Sequence, residues 1–202
     1  MLTKLKQEVQ QMLTAQAKAA HTMGLTPNAI SIIGAALAFL ASLSYLQWQT
    51  SRLYLALALI LLLASGFCDA LDGAVARLYQ QASAFGGFLD SVLDRYADAA
   101  IFISLIFSGL CTPFWGILAL TNSLLVSYTR ARAEAAGAKM ETIGIVERPE
   151  RLIILVIATL IAIIYRPDFT IDIAVILIAV LTALTVIQRV IYAYGSLKKK
   201  RI

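Results

Sequence analysis

The chain of 202 residues is 60% hydrophobic and only 14% charged, with a mean hydropathy of +0.80. Soluble domains use about 45–50% apolar residues, so this composition excludes an ordinary soluble protein. The formal charge of +5 speaks for anionic lipid headgroups rather than nucleic acid, because the lysines and arginines follow membrane topology and lack interleaved aromatics. Cys68 and Cys111 suggest no disulfide framework, and a lone histidine, His21, excludes a histidine metal centre or a serine–histidine dyad.

In chain order, residues 1–22 come first. Leu2, Leu5, Val9 and Leu13 recur at helical spacing beside Lys4, Lys6, Glu8 and Lys18, which predicts an amphipathic helix on the membrane surface. The stretch is too polar for a secretory signal, and no targeting segment is expected. Residues 23–202 read as one all-α integral membrane domain of six transmembrane helices. The spans lie at about 28–47, 53–78, 85–110, 113–136, 150–165 and 170–194, each judged against the ~20 residues that cross a bilayer. Thr26-Pro27 supplies a capping hydroxyl and a proline at the start of span one. The polar break from Gln47 to Arg52 carries the interfacial Trp48, Thr112-Pro113 restarts the chain at span four, and Arg166-Pro167-Asp168 ends span five. Lys4, Lys6, Lys18, Arg77, the segment from Arg130 to Arg151 and the tail Lys198 to Arg201 fall on one side, against Arg52 and Arg166 on the other. Both termini are therefore expected on the cytoplasmic side of a multi-pass cell-membrane protein.

Five aspartates, Asp69, Asp72, Asp90, Asp94 and Asp98, interrupt this apolar sequence. A carboxylate at membrane depth costs several kcal/mol unless neutralised, which marks a functional site. Asp69 and Asp72 are three apart, and Asp90, Asp94 and Asp98 are four apart, so each set lines one face of its own helix. At ~1.5 Å per residue, Asp69 and Asp94 lie about 13 Å in from the hairpin joining spans two and three, and Asp72 and Asp90 about 8–9 Å in, so the acids pair by depth. Four oxygen donors from two helices suit hard cations such as Mg²⁺, Mn²⁺ or Ca²⁺, with room for a pair of ions. Gly73, Ala74, Ala76, Gly86 and Gly87 lie between the acids, allowing close helix approach or a close ligand.

The complete string is D-x2-D-G-x2-A-R-x8-G-x3-D-x3-D, through Asp69, Asp72, Gly73, Ala76, Arg77, Gly86, Asp90 and Asp94. It resembles the signature of the CDP-alcohol phosphotransferases, membrane enzymes of phospholipid synthesis, at all eight fixed positions. The resemblance implies that Asp69, Asp72, Asp90 and Asp94 hold one or two Mg²⁺ or Mn²⁺ ions and that Asp94 is also the general base. It further implies a CDP-linked lipid donor, CDP-diacylglycerol or CDP-archaeol, release of CMP, membrane lipid contacts and a homodimer. Asn28, Asp69, Gly73, Ala76, Arg77 and Gly86 are the expected nucleotide-binding positions, although Arg77 could equally cap span two and Asn28 could serve only a helix start.

The segment from Ser127 to Leu152 resembles the branch of that family that uses inositol 1-phosphate. Its Arg130, Arg148 and Arg151, with Arg189 inside span six, are the candidates for binding the phosphate of a phosphorylated polyol. The bland alternative is that these arginines simply form a basic loop, with Glu147 and Glu150 pairing locally. Asp98 lies outside the signature and is expected to pair with Arg95 or join a supporting network. Within the enzyme class the runner-up is a phosphatidylglycerophosphate synthase; outside it, a small ion transporter or channel.

Overall fold

The computed structural model describes residues 13–140 and 143–199, and no strand occurs among them. The helices are α1 (residues 13–22), α2 (Pro27–Leu46), α3 (Leu53–Leu78), α4 (Ala84–Phe107), α5 (Pro113–Ala135), α6 (Arg148–Ile164) and α7 (Pro167–Lys199). Leu2, Leu5 and Val9 of the expected surface helix, with Lys4 and Lys6, lie outside the described residues. Residues 13–22 are helical and dock by Ala17 and Ala20 against Ile30, Leu71 and Val75, with His21 stacked on Tyr79 at 3.6 Å between ring centroids.

Helix ends fall where cap chemistry puts them. Thr26 Oγ1 accepts from the Ala29 amide at 3.2 Å and Pro27 opens α2, as a fixed φ and a dispensable N–H favour. Ser83 Oγ accepts from the Gly86 amide at 3.0 Å and starts α4. Several ends differ from expectation: α4 stops at Phe107 rather than about 110, and α7 starts at Pro167 rather than about 170. α6 begins at Arg148, not at about 150, because Pro149 and the Glu150 carboxylate, which accepts the Glu147 amide at 2.9 Å, build its first turn. α7 continues to Lys199 rather than stopping near 194, since no proline follows to break it. Three helices, α2, α3 and α7, are long and apolar enough to cross a membrane. α4 carries four charged residues, α5 has polar residues among its apolar ones and three charges at its end, and α6 has only 17 residues, so composition alone does not mark them as crossings.

Close packing rests on small residues. A Cβ on Gly34 of α2 would meet the Cys68 Cβ at 3.0 Å, and one on Gly66 of α3 would meet Leu152 of α6 at 2.4 Å; this is how apolar helices associate when water gives no drive. The core runs through Ala38, Ala41, Leu55, Leu62, Ile101 and Leu105 to Leu155, Ile171 and Ile178. Within it the Tyr45 and Thr159 hydroxyls pair at 2.5 Å, as burial favours. Large apolar side chains such as Ile60, Ile164 and Ile191 point outward. The end remote from the acids is tied by Trp48 donating to the Ser108 carbonyl at 2.9 Å, Arg52 donating to the Ile163 carbonyl at 3.2 Å, and Asp172 accepting from the Thr112 amide at 2.6 Å. The aspartates therefore stand at the opposite end of a braced bundle.

Candidate active site

The α3–α4 hairpin carries all five acids, and helical periodicity aims each set at the neighbouring helix. The depth pairing is recovered in space. Arg148 of α6 bridges the deeper pair: its Nη1 lies against Asp69 Oδ2 and 3.0 Å from Asp94 Oδ1. The shallower pair, Asp72 and Asp90, lines one cavity of about 190 Å³ together with Asn28, Ser31, Gly73, Ala76, Gln81, Ser83 and Gly86. Ser31 donates to Asp72 Oδ2 at 2.5 Å. The four carboxylates expected to hold one or two ions are thus found as two separate pairs. No three acidic, histidine or cysteine side chains among the described residues converge on a point, because Asp69 and Asp94 turn to Arg148 while Asp72 turns to Ser31. The donor set nonetheless fits a hard cation. One guanidinium reaches a carboxylate on each of two helices, and the ligands on offer are all anionic oxygens.

Of the expected nucleotide-side residues, Asn28, Gly73, Ala76 and Gly86 line the same cavity. Gly86 is there for space: a Cβ would sit 2.9 Å from Asn28 Oδ1 and 3.0 Å from Ser83 Oγ. Arg77 is not among the residues lining it; it lies exposed in the last turn of α3 with its guanidinium folded over Gly73. Asp69 instead opens onto a second cavity of about 460 Å³, lined by Leu63, Phe67, Leu152, Ile153 and Val156, with Arg148 at its mouth. This is an apolar groove between α3 and α6.

The four arginines expected at an acceptor phosphate converge. Arg130, Arg148, Arg151 and Arg189 line one cavity of about 180 Å³ with Asp94, Arg95 and Glu147. Their environments differ. Arg189, 1% exposed, donates to the carbonyls of Ile143 at 2.8 Å and Val126 at 2.5 Å and to Glu147 Oε1 at 2.5 Å, so it also fastens the α5–α6 loop. Arg130 pairs with Glu134 at 3.1 Å and with Glu147 at 3.5 Å. Arg151 pairs with Asp98 at 2.5 Å. Of the two readings for Asp98, the supporting network is the one seen: it takes Arg151 and Arg148, the latter at 3.5 Å, while Arg95 reaches Asp94 at 3.9 Å. Glu147 pairs within the basic segment, with Arg130, and also with Arg189 of α7. Ser31 was not singled out in the sequence, although it lies three residues after Asn28 on the same face of α2. The signal for it was that spacing.

Residues 24–194 match the family described as CDP-alcohol phosphatidyltransferase. The chain belongs to that family. It is a CDP-alcohol phosphotransferase, and the transporter and channel alternatives fall away. It is 43% identical to the archaetidylinositol phosphate synthase of Pyrococcus horikoshii over 203 aligned positions, covering 100% of this chain and 98% of the relative. Among solved structures it resembles the phosphatidylinositol phosphate synthase of Mycobacterium tuberculosis with CDP-DAG bound, at TM-score 0.78 and 28% identity over 92% of this chain and 95% of that one. The same enzyme in complex with manganese and citrate aligns at TM-score 0.77 and 28% identity, over 91% and 90% of the two chains.

Proposed function

We propose that this CDP-alcohol phosphotransferase moves the lipid-bearing phosphoryl group of a CDP-linked lipid onto a hydroxyl of inositol 1-phosphate and releases CMP. The observation that carries the acceptor is the arginine cavity of Arg130, Arg148, Arg151 and Arg189, which meets the acids at Asp94; arginine forks suit phosphate oxygens. The archaetidylinositol phosphate and phosphatidylinositol phosphate synthases among its relatives support the same acceptor. The greater identity to the archaetidyl enzyme favours CDP-archaeol over CDP-diacylglycerol as donor.

Asp69, Asp72, Asp90 and Asp94 would hold two divalent ions, Mg²⁺ or Mn²⁺, in line with the manganese complex of the mycobacterial relative. Bound there, the ions supply positive charge to the pyrophosphate and to the phosphoryl group in transfer. The remaining work falls to this chain's side chains. Asn28, Gly73, Ala76 and Gly86 make room for the nucleotide, with Arg77 and Asp69 at its margins, while the α3–α6 groove takes the lipid chains. Asp94 accepts the proton of the attacking hydroxyl as its oxygen bonds to the lipid-side phosphorus and the bond from that phosphorus to the CMP oxygen breaks. The arginines hold the acceptor's own phosphate away from the reacting centre. We further infer six membrane crossings by α2 to α7, an amphipathic segment over residues 1–22 preceding a transmembrane domain of residues 23–202, cytoplasmic termini and active site, and a homodimer in contact with membrane lipids.

The test is CMP release by the purified protein in lipid vesicles, with inositol 1-phosphate, glycerol 3-phosphate, serine or free inositol as acceptor and CDP-archaeol or CDP-diacylglycerol as donor. Turnover should require inositol 1-phosphate and vanish with EDTA. Asp94→Asn should lower it by about 10²–10⁴-fold, the usual worth of a general base. Turnover with glycerol 3-phosphate alone refutes the acceptor, and unchanged turnover in Asp94→Asn refutes the base.

A further inference from the structure

Two consecutive residues at the N-terminus of α6 sit in opposite halves of the site. Arg148, a cation, stands between the carboxylates of Asp69 and Asp94, with its Nε 3.5 Å from Asp98. Glu147, an anion, stands between the guanidinium groups of Arg189 at 2.5 Å and Arg130 at 3.5 Å. Each therefore has the charge of the ligand proposed for the half-site it fills: a divalent cation among the acids, a phosphate among the arginines. The Glu147 side chain is 39% exposed, and the buried Nε of Arg148 has no hydrogen-bond partner. Arg148 also lines the acid-side groove and the arginine cavity at once, so a turn of one side chain carries its charge from one to the other.

We propose that Glu147-Arg148 is an internal charge plug that neutralises both halves of the active site and yields one side chain to each incoming ligand. It rests on the metal and acceptor-phosphate reading above. Without the plug, Asp69 and Arg189 would lose the ion pairs they make in a medium of low dielectric, where uncompensated charge is costly. With it, each ligand replaces a like charge and inserts no uncompensated one. Arg148, once released from Asp69 and Asp94, adds its charge to the arginine cavity; metal entry thereby favours acceptor phosphate, and by linkage the phosphate favours metal. Glu147 and Arg148 are positioning residues in this scheme, setting affinity and order of binding.

The test uses the intact protein in detergent and reads binding rather than turnover, with Mn²⁺ alone and inorganic phosphate alone as probes in titration calorimetry. Arg148→Gln should tighten Mn²⁺ by about tenfold, and Glu147→Gln should tighten phosphate by a comparable factor, since each removes an internal competitor. The double variant Glu147→Gln/Arg148→Gln leaves net charge unchanged and should keep the Mn²⁺ gain; loss of that gain there means a general field effect and overturns the plug. Free methylguanidine should weaken Mn²⁺ binding to Arg148→Ala more than matched sodium chloride does, and an equal effect of the two salts overturns local occupation. Should Arg148→Gln fail to fold, Arg148→Lys, whose compact ammonium bridges two carboxylates less well, should show a smaller gain in the same direction. Unchanged or weaker Mn²⁺ binding in the folded Arg148 variants overturns the proposal. Inositol 1-phosphate turnover is scored separately: its failure with both binding gains intact refutes the acceptor and leaves the plug standing.

Discussion

Removal of the Asp98 carboxylate should unfold the site from behind. Asp98 Oδ2 lies 2.5 Å from Arg151 Nη2, with 14% of the Asp98 side chain and 4% of the Arg151 side chain exposed, while Arg151 Nε is buried without a partner. Asp98→Ala leaves that guanidinium uncompensated, a loss of about 3–5 kcal/mol for one half of a buried pair. Asp98→Asn retains an oxygen acceptor and forfeits the charge, so about 1.5–3 kcal/mol is expected, the worth of a charged hydrogen bond. For a chain of this length each kcal/mol moves the melting temperature by about 2–4 °C, which places Asp98→Ala about 6–20 °C below the parent. Thermal unfolding of the metal-free protein in detergent reads the shift. The double variant Asp98→Leu/Arg151→Met should recover most of it, because an apolar pair of similar volume replaces a buried ion pair at little cost. A shift under about 2 °C for Asp98→Ala, or strictly additive losses in the double variant, would sink the claim that this pair supports the acids.

Two further substitutions probe the cavities. Gly86→Ala puts a methyl group 2.9 Å from Asn28 Oδ1 and 3.0 Å from Ser83 Oγ, so Asn28 must leave its place in the nucleotide cavity; the KM for the CDP-lipid should rise about tenfold with kcat changed much less, read from steady-state CMP release. Gly144 has φ +137° and a Cβ there would meet Thr185 Cγ2 at 2.7 Å and Arg189 Nε at 3.4 Å. Gly144→Ala should therefore cost about 1–3 kcal/mol of stability through backbone strain, with weakened phosphate binding as the loop over Arg189 shifts; calorimetry showing unaltered phosphate affinity would detach this loop from the arginine cavity.

What the sequence by itself determined is local. Helix starts at Pro27, Ala84 and Pro113 follow from caps and prolines acting within one turn, and the spacing of Asp69, Asp72, Asp90 and Asp94 determined which faces the acids share, because helical periodicity is a property of the chain itself. The pairing by depth followed from the same rise per residue applied to both arms of one hairpin. Partner choice was decided only by the tertiary structure. Asp72 finds Ser31 across 41 residues, Asp98 finds Arg151 across 53, Arg189 finds Glu147 across 42 and Asp69 finds Arg148 across 79. Nothing in local spacing selects among several arginines for one aspartate; packing of α6 against α3 and α7 does, and in a low-dielectric interior the guanidinium that packing brings within reach is the one that neutralises the acid.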